Sequence, residues 1–485
     1  MFKIEKFKEY YLISLLVMLL FRSINAYSLL PSKYDSSIFA VLGIIGGLLI
    51  IHELLYIIKN RQLINFENIL FIFLFFLGIS ILVNYPQSFV SNIRLMVWTA
   101  LYLVGIYRFS ERNHKKIHLI NTVNKILIYS FFLISLVSFG MYLLKFSYVY
   151  VYGPGPRDHI RIGFLESRLF GAFGDPNYGA TMSLIVLVLT IFYLISRWEI
   201  ENTLYKIFLF FNVILQFFVI LLTGSRSALL ISFIVVMFTV FVYSLNFFDT
   251  RKVVPNIISR VILSVAISLI TLGLYFGLQA GTKKVLQILP QHISYELKID
   301  NNKSEKRNLI VKRQFDEQDK KSGISLTRKD VSENSDVSNM RFSIWKSAIE
   351  IFKTTPLVGT SPRNLITYAH ENLPNTFIAQ RSIVVHNAYI NVLVSTGILG
   401  FLPFTIFLIL NGVKIIVFFF RNKNNLPAYF FVYLTILIVL VLSGLFNNEI
   451  VLVNTVGTFI FWLYLGNING YMKGRILDDK SKNEP

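Results

Sequence analysis

The chain contains no cysteine, so neither a disulfide framework nor thiol chemistry is open to it. It carries no Walker A loop, no Rossmann glycine pattern and no HExxH helix, which removes the common nucleotide, dinucleotide and zinc-hydrolase signatures. Charge is scarce too. Only 15% of the 485 residues are Asp, Glu, Lys or Arg, against roughly a quarter in soluble domains, so a soluble globule is a poor reading. Acidic residues are fewest of all, 27 against 47 basic ones. No pair of outward carboxylates has the spacing of metal ligands, so the sequence points to a reaction with no metal and no cofactor.

What is abundant is apolar sequence: 54% of the residues are hydrophobic, in blocks long enough to cross a bilayer as helices. About twelve blocks stand out, at 10–24, 37–58, 69–84, 89–107, 123–144, 179–196, 204–222, 227–247, 258–280, 398–420, 426–446 and 449–467. None alternates with period two, and in lipid only helices or closed barrels satisfy the backbone, so the blocks are read as helices. The expected fold is all-α: a polytopic bundle of about 12 transmembrane helices with a large extracytoplasmic loop between spans nine and ten. The corresponding division is 1–280 for spans one to nine, 281–385 for the loop, 386–470 for a loop-return helix and the last three spans, and 471–485 for a cytoplasmic tail.

A net charge of +20 suggests nucleic acid at first sight, but its distribution argues against that partner. Lys3, Lys6 and Lys8 precede the first span, and Lys59 and Arg61 follow the second. Arg108, Arg112, Lys115 and Lys116 follow the fourth, Arg251 and Lys252 the eighth, Arg421 and Lys423 the tenth, and Lys473 and Arg475 lie in the tail. One count puts all of them on the same side, so the positive-inside rule places both termini in the cytoplasm. No small-residue cleavage site follows the first block, which therefore reads as a retained span. His52 and Glu53 near the inner end of span two, and Arg94 near the outer end of span four, read as snorkelling end residues.

Two outward segments are longer than turns. In the loop at 281–385, the stretch "NNKSEKRNLIVKRQFDEQDKKSGISLTRKDVSENSD" is charged and poor in aromatics, which predicts a mobile insertion at about 300–338. Its later part, "MRFSIWKSAIEIFKTTPLVG", sets Phe342, Trp345, Ile349 and Phe352 at helical spacing and predicts a short amphipathic helix ended by Pro356. The other segment, 145–178, holds "ESRLFGAFGDPN", where Asp175 and Pro176 form an N-cap and first-turn proline for the sixth span. Arg168 lies just upstream, and Arg157 and Arg161 precede it on an irregular, glycine- and proline-rich approach. Three arginines beside a helix start could grip an anionic group, or they could snorkel to lipid phosphates.

In "TGSRSALL", Arg226 is the sole charge of a tight turn between two spans, with Ser225 placed to cap the eighth. Arginine rather than lysine suits a bidentate phosphate contact, although a single interfacial arginine is also an ordinary anchor. In "VVHNAYINVLVSTGILG", His386 opens an apolar helix on which Asn387, Asn391 and Ser395 make one polar stripe that must face other helices or a wet cavity. An imidazole titrating near neutrality could serve there as a general base, or as a helix cap. Glu449, in the turn "FNNEI", could hold an arginine or a sugar hydroxyl and is expected to play a plain interfacial role.

With these residues in view, the chain resembles the O-antigen ligase/polymerase family of bacterial integral membrane glycosyltransferases. The likeness runs over roughly 160–445 and rests on "RLFGAFGDPNYGA", "LLTGSRSALL", "RFSIWKSAIEIFKTTPLVGTSP" and "VVHNAYINVLVSTGILG", in that order. One departure is "GTSPRN" at 359–364, where the family carries a Gly-x-Gly turn, leaving the conformation of this loop open. The resemblance implies a donor glycan on undecaprenyl pyrophosphate, with Arg168 and Arg226 holding the pyrophosphate and His386 deprotonating the acceptor hydroxyl. Arg157, Arg161, Arg341 and Asn387 become further candidates for substrate contact. The partners implied are the lipid-linked oligosaccharide, a glycan acceptor, membrane lipid and a chain-length regulator.

The family covers two jobs: polymerases that join lipid-linked repeat units, and ligases that move a finished chain to another acceptor such as the lipid A core. The polymerase is preferred here. A flippase for the same lipid-linked sugars is the rival from another class, but it should line a mid-membrane path with ionisable residues. The span centres carry none.

Overall fold

A computed structural model describes residues 2–60, 68–152, 159–251, 254, 256–291, 324–326, 340–422 and 425–483. Arg157, most of the insertion at 300–338, and Arg61, Lys252 and Lys423 of the charge pattern lie outside the described residues.

The chain is a multi-pass membrane protein whose bundle is helical. Among the described residues, eight helices are long and apolar enough to cross a membrane: α2 (Ser32–Lys59), α4 (Phe89–Arg112), α5 (Ile117–Leu143), α6 (Pro176–Ser196), α7 (Thr203–Leu222), α8 (Arg226–Asp249 of a helix reaching Arg251), α9 (Ile257–Ile288) and α13 (Ala388–Asn422). Two shorter apolar helices are α3 (Ile69–Val83) and α14 (Ala428–Ser443). The first and last of the twelve blocks fall on α1 (Phe2–Arg22) and α15 (Val456–Asn483), long helices of lower mean hydropathy. Among the described residues, three short helices stand between α9 and α13: α10 (Arg341–Thr354), α11 (Leu365–Asn372) and α12 (Phe377–Arg381).

Contacts divide the chain into two compact units. The first comprises Met1–Leu19, Ser32–Asn121 and Asp336–Pro485, and the second Leu20–Pro31 and Thr122–Ser335.

In the first unit α15 packs along α4 at very short range. A Cβ on Gly470 would lie 2.1 Å from the Glu111 carbonyl oxygen, so only glycine allows the two backbones to approach there. α4 passes through a fully buried π-helical turn, Leu101–Ile106, at this interface. Glu53 does not snorkel. Only 1% exposed, it takes Lys8 at 2.5 Å and Arg112 at 2.6 Å, joining α1, α2 and α4 in a buried ion cluster. A carboxylate in an apolar interior is held there only if paired, and these two cations supply the pairing.

α13 is two helices joined across a break. Gly397 takes φ 62° and ψ −170°, outside helical space, and separates the segment that follows His386 from the tenth apolar block. The break would orphan backbone groups in lipid. The segment Pro356–Ser361 satisfies them: Thr360 and Ser361 N–H donate to the carbonyls of Val394 and Ser395, and Ile398 and Leu399 N–H donate to those of Pro356 and Leu357. Ser80 of α3 also donates to the Ser395 carbonyl, at 2.8 Å. This crossing settles the conformation of the divergent "GTSPRN" loop. Ser361 adopts φ 68°, the left-handed region that glycine prefers, and its hydroxyl donates to the Ser80 carbonyl at 2.8 Å.

α10 forms as its helical spacing predicts and stops at Thr354, before Pro356, but its buried stripe is rotated from the expected one. Ile344, Ala348 and Ile351 are buried against α11 and α12, whereas Phe342 is exposed. The aliphatic residues pack more tightly against two short helices than a line of large aromatics could.

In the second unit a neutral polar network ties α5, α6 and α7 together. Asn212 donates to Thr190 at 2.8 Å, Gln216 to Asn212 at 2.8 Å, and Ser135 to Gln216 at 3.0 Å, all fully buried. The segment before α6, expected to be irregular, instead folds into a three-stranded antiparallel sheet of β1 (Ser147–Val151), β2 (His159–Leu165) and β3 (Arg168–Gly171). The period-two alternation in "HIRIGF" explains β2: Ile160 pairs with Tyr150 and Ile162 with Tyr148, while Arg161 sits opposite Val149. A 3-10 turn, Asn25–Leu29, lies against the sheet, with Asn25 N–H donating to the Ala172 carbonyl.

Candidate functional site

Arg168 opens β3, and Asp175 ends the sheet by capping α6. The Asp175 carboxylate accepts from the N–H groups of Asn177 and Tyr178 at 2.7 and 3.0 Å, with Pro176 in the first turn, as the sequence predicts. The same turn orients Arg168, whose Nη2 donates to Asn177 Oδ1 at 3.0 Å. Its Nε donates to the Thr223 carbonyl at 2.9 Å. Thr223 begins the turn whose last residue is Arg226, so Arg168 is fastened to the Arg226 turn by its own guanidinium.

That turn is tight. Gly224 takes φ 61°, Ser225 is fully buried and its hydroxyl accepts from the Ala228 N–H at 3.4 Å, so Ser225 caps α8 as expected. Arg226 is the first residue of α8, where backbone N–H groups and the helix dipole favour an anion. Arg161 lies on β2, with its guanidinium over the Phe170 ring at 5.4 Å, and Arg168 stands over the same ring at 6.0 Å. Arg161 is paired with Glu166 at 3.1 Å. The second unit thus brings together Arg161, Arg168 and the turn that carries Arg226.

His386 belongs to the first unit. It does not start the helix: α13 begins at Ala388, and Asn387 caps it, accepting from the Tyr389 and Ile390 N–H groups at 3.0 Å each. His386 precedes the cap in the left-handed region, φ 49°, half-buried. A side chain with a Cβ seldom rests there, and such conformations gather at functional sites.

The residues around His386 fasten one turn. Asn387 Nδ2 donates to the Leu445 carbonyl at 3.1 Å, and Ala388 N–H to that of Gly444 at 2.7 Å. Arg341 lies over the Phe446 ring at 5.1 Å and donates to the Phe446 carbonyl. Glu449 follows in the same connection. It is 3% exposed and accepts from Ser443 at 3.0 Å, so it is buried rather than interfacial. In the sequence a carboxylate in a short polar turn looks solvated. The signal was the apolar sequence on both sides of that turn. Asn391 and Ser395, the rest of the polar stripe, are buried as the stripe required. Among the described residues no group of three His, Asp or Glu side chains could hold a metal ion.

No curated protein matches the chain. Residues 211–405 match the family model described as O-antigen ligase, an interval that holds Arg226, α8 to α12, His386 and the break at Gly397. The order of the four motifs and the multi-pass helical bundle agree with this match, which supports membership of the O-antigen ligase family.

Proposed function

We propose that this protein is a polysaccharide polymerase, which transfers a glycan from undecaprenyl pyrophosphate to a hydroxyl of another lipid-linked repeat unit. The reaction takes place on the outer face of a bacterial plasma membrane, with both termini of the chain in the cytoplasm. The observation that carries this reading is the bond that fastens the Arg168 guanidinium to the turn from which α8 opens with a second arginine, Arg226. A pyrophosphate leaving group gains negative charge as the glycosidic bond breaks. Fixed guanidiniums and a helix N-terminus stabilise that charge most when it is fully developed, which lowers the barrier rather than merely binding the donor.

In the proposed step the acceptor oxygen attacks the anomeric carbon, and the bond from that carbon to the pyrophosphate oxygen breaks. The hydroxyl proton passes to the His386 imidazole, and the electron pair of the broken bond leaves with undecaprenyl pyrophosphate. One displacement at carbon inverts its configuration. The donor bond supplies the driving force, so the step uses neither nucleotide nor metal.

A strain lacking the gene tests the reading, with its surface glycan separated on a gel. Single repeat units on the lipid carrier are expected. Full-length polymer that stays unattached would make the protein a ligase instead, and repeat units trapped on the cytoplasmic face would make it a flippase.

A further inference from the structure

The second unit contains an open cavity of about 560 Å³ between the Asn25–Leu29 turn and the sheet, lined by Asn25, Ser28, Tyr152, His159, Arg161 and Phe170 among others. Its volume falls within the range of about 300–1,000 Å³ usual for small-molecule sites. The walls are fixed by backbone pairing. Asn25 N–H donates to the Ala172 carbonyl, Gly174 N–H to that of Ser23, and Ile24 bridges Phe173. Asn25 itself is 3% exposed, and its Nδ2 donates to the Arg161 carbonyl at 2.8 Å, locking the turn onto β2.

The lining combines aromatic rings with hydroxyl, amide, imidazole and guanidinium groups. A pyranose offers the complement: hydroxyls that both donate and accept, on a ring with apolar C–H faces. Among the described residues no carboxylate lines the cavity. Arg161 takes its negative partner from outside, from Glu166, which is 62% exposed. A surface ion pair of this kind contributes little, so a ligand carboxylate can replace Glu166 and gain a charge-assisted, two-pronged contact. The cavity also adjoins the anion-holding residues, since Arg161 and Arg168 stand over the same Phe170 ring.

We infer that this cavity is a sugar subsite that takes an acidic residue of the lipid-linked glycan, with Arg161 recognising its carboxylate. The inference rests on the glycosyl-transfer reading for the identity of the ligand, and binding can be measured without turnover. Full-length protein in detergent is titrated with a tetrasaccharide of alternating glucuronic acid and N-acetylglucosamine, and in parallel with neutral chitotetraose. The acidic tetrasaccharide should bind saturably and about tenfold or more tighter than chitotetraose, as expected from a charge-assisted contact. Arg161→Gln should remove that preference, and Ser28→Trp, at an exposed rim position, should weaken both probes by filling the cavity. No saturable binding, equal affinity for the two probes, or affinities unchanged in both variants would overturn the inference. The glycan gel reports separately: loss of polymer in Arg226→Ala, with these binding results negative, sinks the subsite and leaves the transferase. A normal glycan in the deletion strain removes the transferase reading and the subsite's ligand with it.

Discussion

Arg168 Nε donates to the carbonyl oxygen of Thr223 at 2.9 Å, tying the first residue of β3 to the turn that ends in Arg226. The bond takes up one edge of the guanidinium, and Asn177 takes another N–H at 3.0 Å. Arg168 is thereby fixed in place, and fixed charge is what a developing leaving group needs.

Arg168→Lys keeps the charge but cannot bond Thr223 and Asn177 together from one planar group. Chain extension in membranes is expected to fall by about a hundredfold or more, the usual cost of one lost transition-state donor, while protein in the membrane fraction stays at wild-type level. Wild-type polymer length in this variant would reduce Arg168 to a structural tie.

His386 offers a test that separates chemistry from backbone strain. Asparagine and glycine both tolerate φ near +50°, so His386→Asn and His386→Gly should fold as well as the wild type. If the imidazole is the base, both variants lose extension by about a hundredfold or more, within the range for general-base removal. If the residue matters only for its turn, glycine restores activity fully. Thermal unfolding followed by size-exclusion chromatography in detergent confirms that the fold is intact.

Much of this arrangement could be read from the sequence because it depends on local chemistry. Asp175 and Pro176 announce the start of α6, Ser225 that of α8, and uninterrupted apolar runs announce the spans. The sheet at 147–171 was hidden because glycine and proline around it suggested irregularity, although "HIRIGF" already alternates. In the sequence His386 and Asn387 look like one helix start. Only backbone geometry shows that Asn387 caps while His386 stands outside. The pairing of Glu53 with Lys8 spans 45 residues, and such long-range contacts leave no periodic trace. The same holds for the crossing at Gly397, where two distant segments exchange backbone bonds.

Glu53 carries a prediction about stability. Glu53→Gln would take the buried counter-charge from Arg112 and leave Lys8 only its longer contact with Glu5 at 3.5 Å, a change worth up to about 3–5 kcal/mol. A lower unfolding temperature in detergent is expected, partly restored when Lys8→Met is added, because the double variant removes the stranded cation too. Neighbouring Glu5 adds a pH dependence. Burial raises its carboxyl pKa, but Lys8, Arg112 and Lys116 together outweigh that and hold it below the ordinary value of 4.5. Its contribution is therefore complete above that pH and fades as the pH falls through the lowered value. An unfolding temperature that is flat between pH 6 and about pH 3 would contradict this.

The crossing at Gly397 gives the last prediction, and two positions test it in opposite senses. A Cβ on Gly397 would lie 2.2 Å from the carbonyl carbon and oxygen of Leu357, and φ 62° is strained for any other residue. Gly397→Ala should therefore push Leu357 and Val358 away and break the bonds to Ile398 and Leu399, at a cost of about 3 kcal/mol or more. Ser361 already bears the left-handed strain, worth about 1–2 kcal/mol, in exchange for its bond to the Ser80 carbonyl. Ser361→Gly relieves the strain and loses the bond, two effects of similar size, so its unfolding temperature should stay near wild type. Ser361→Ala keeps the strain and loses the bond, while the Ser80 carbonyl still accepts from Asn84, so the cost is about 0.5–1.5 kcal/mol. The order Gly above Ala at 361 is thus the signature of backbone geometry. The reverse order would mean that the serine does not need its left-handed conformation, and that the segment reaches α13 by another path.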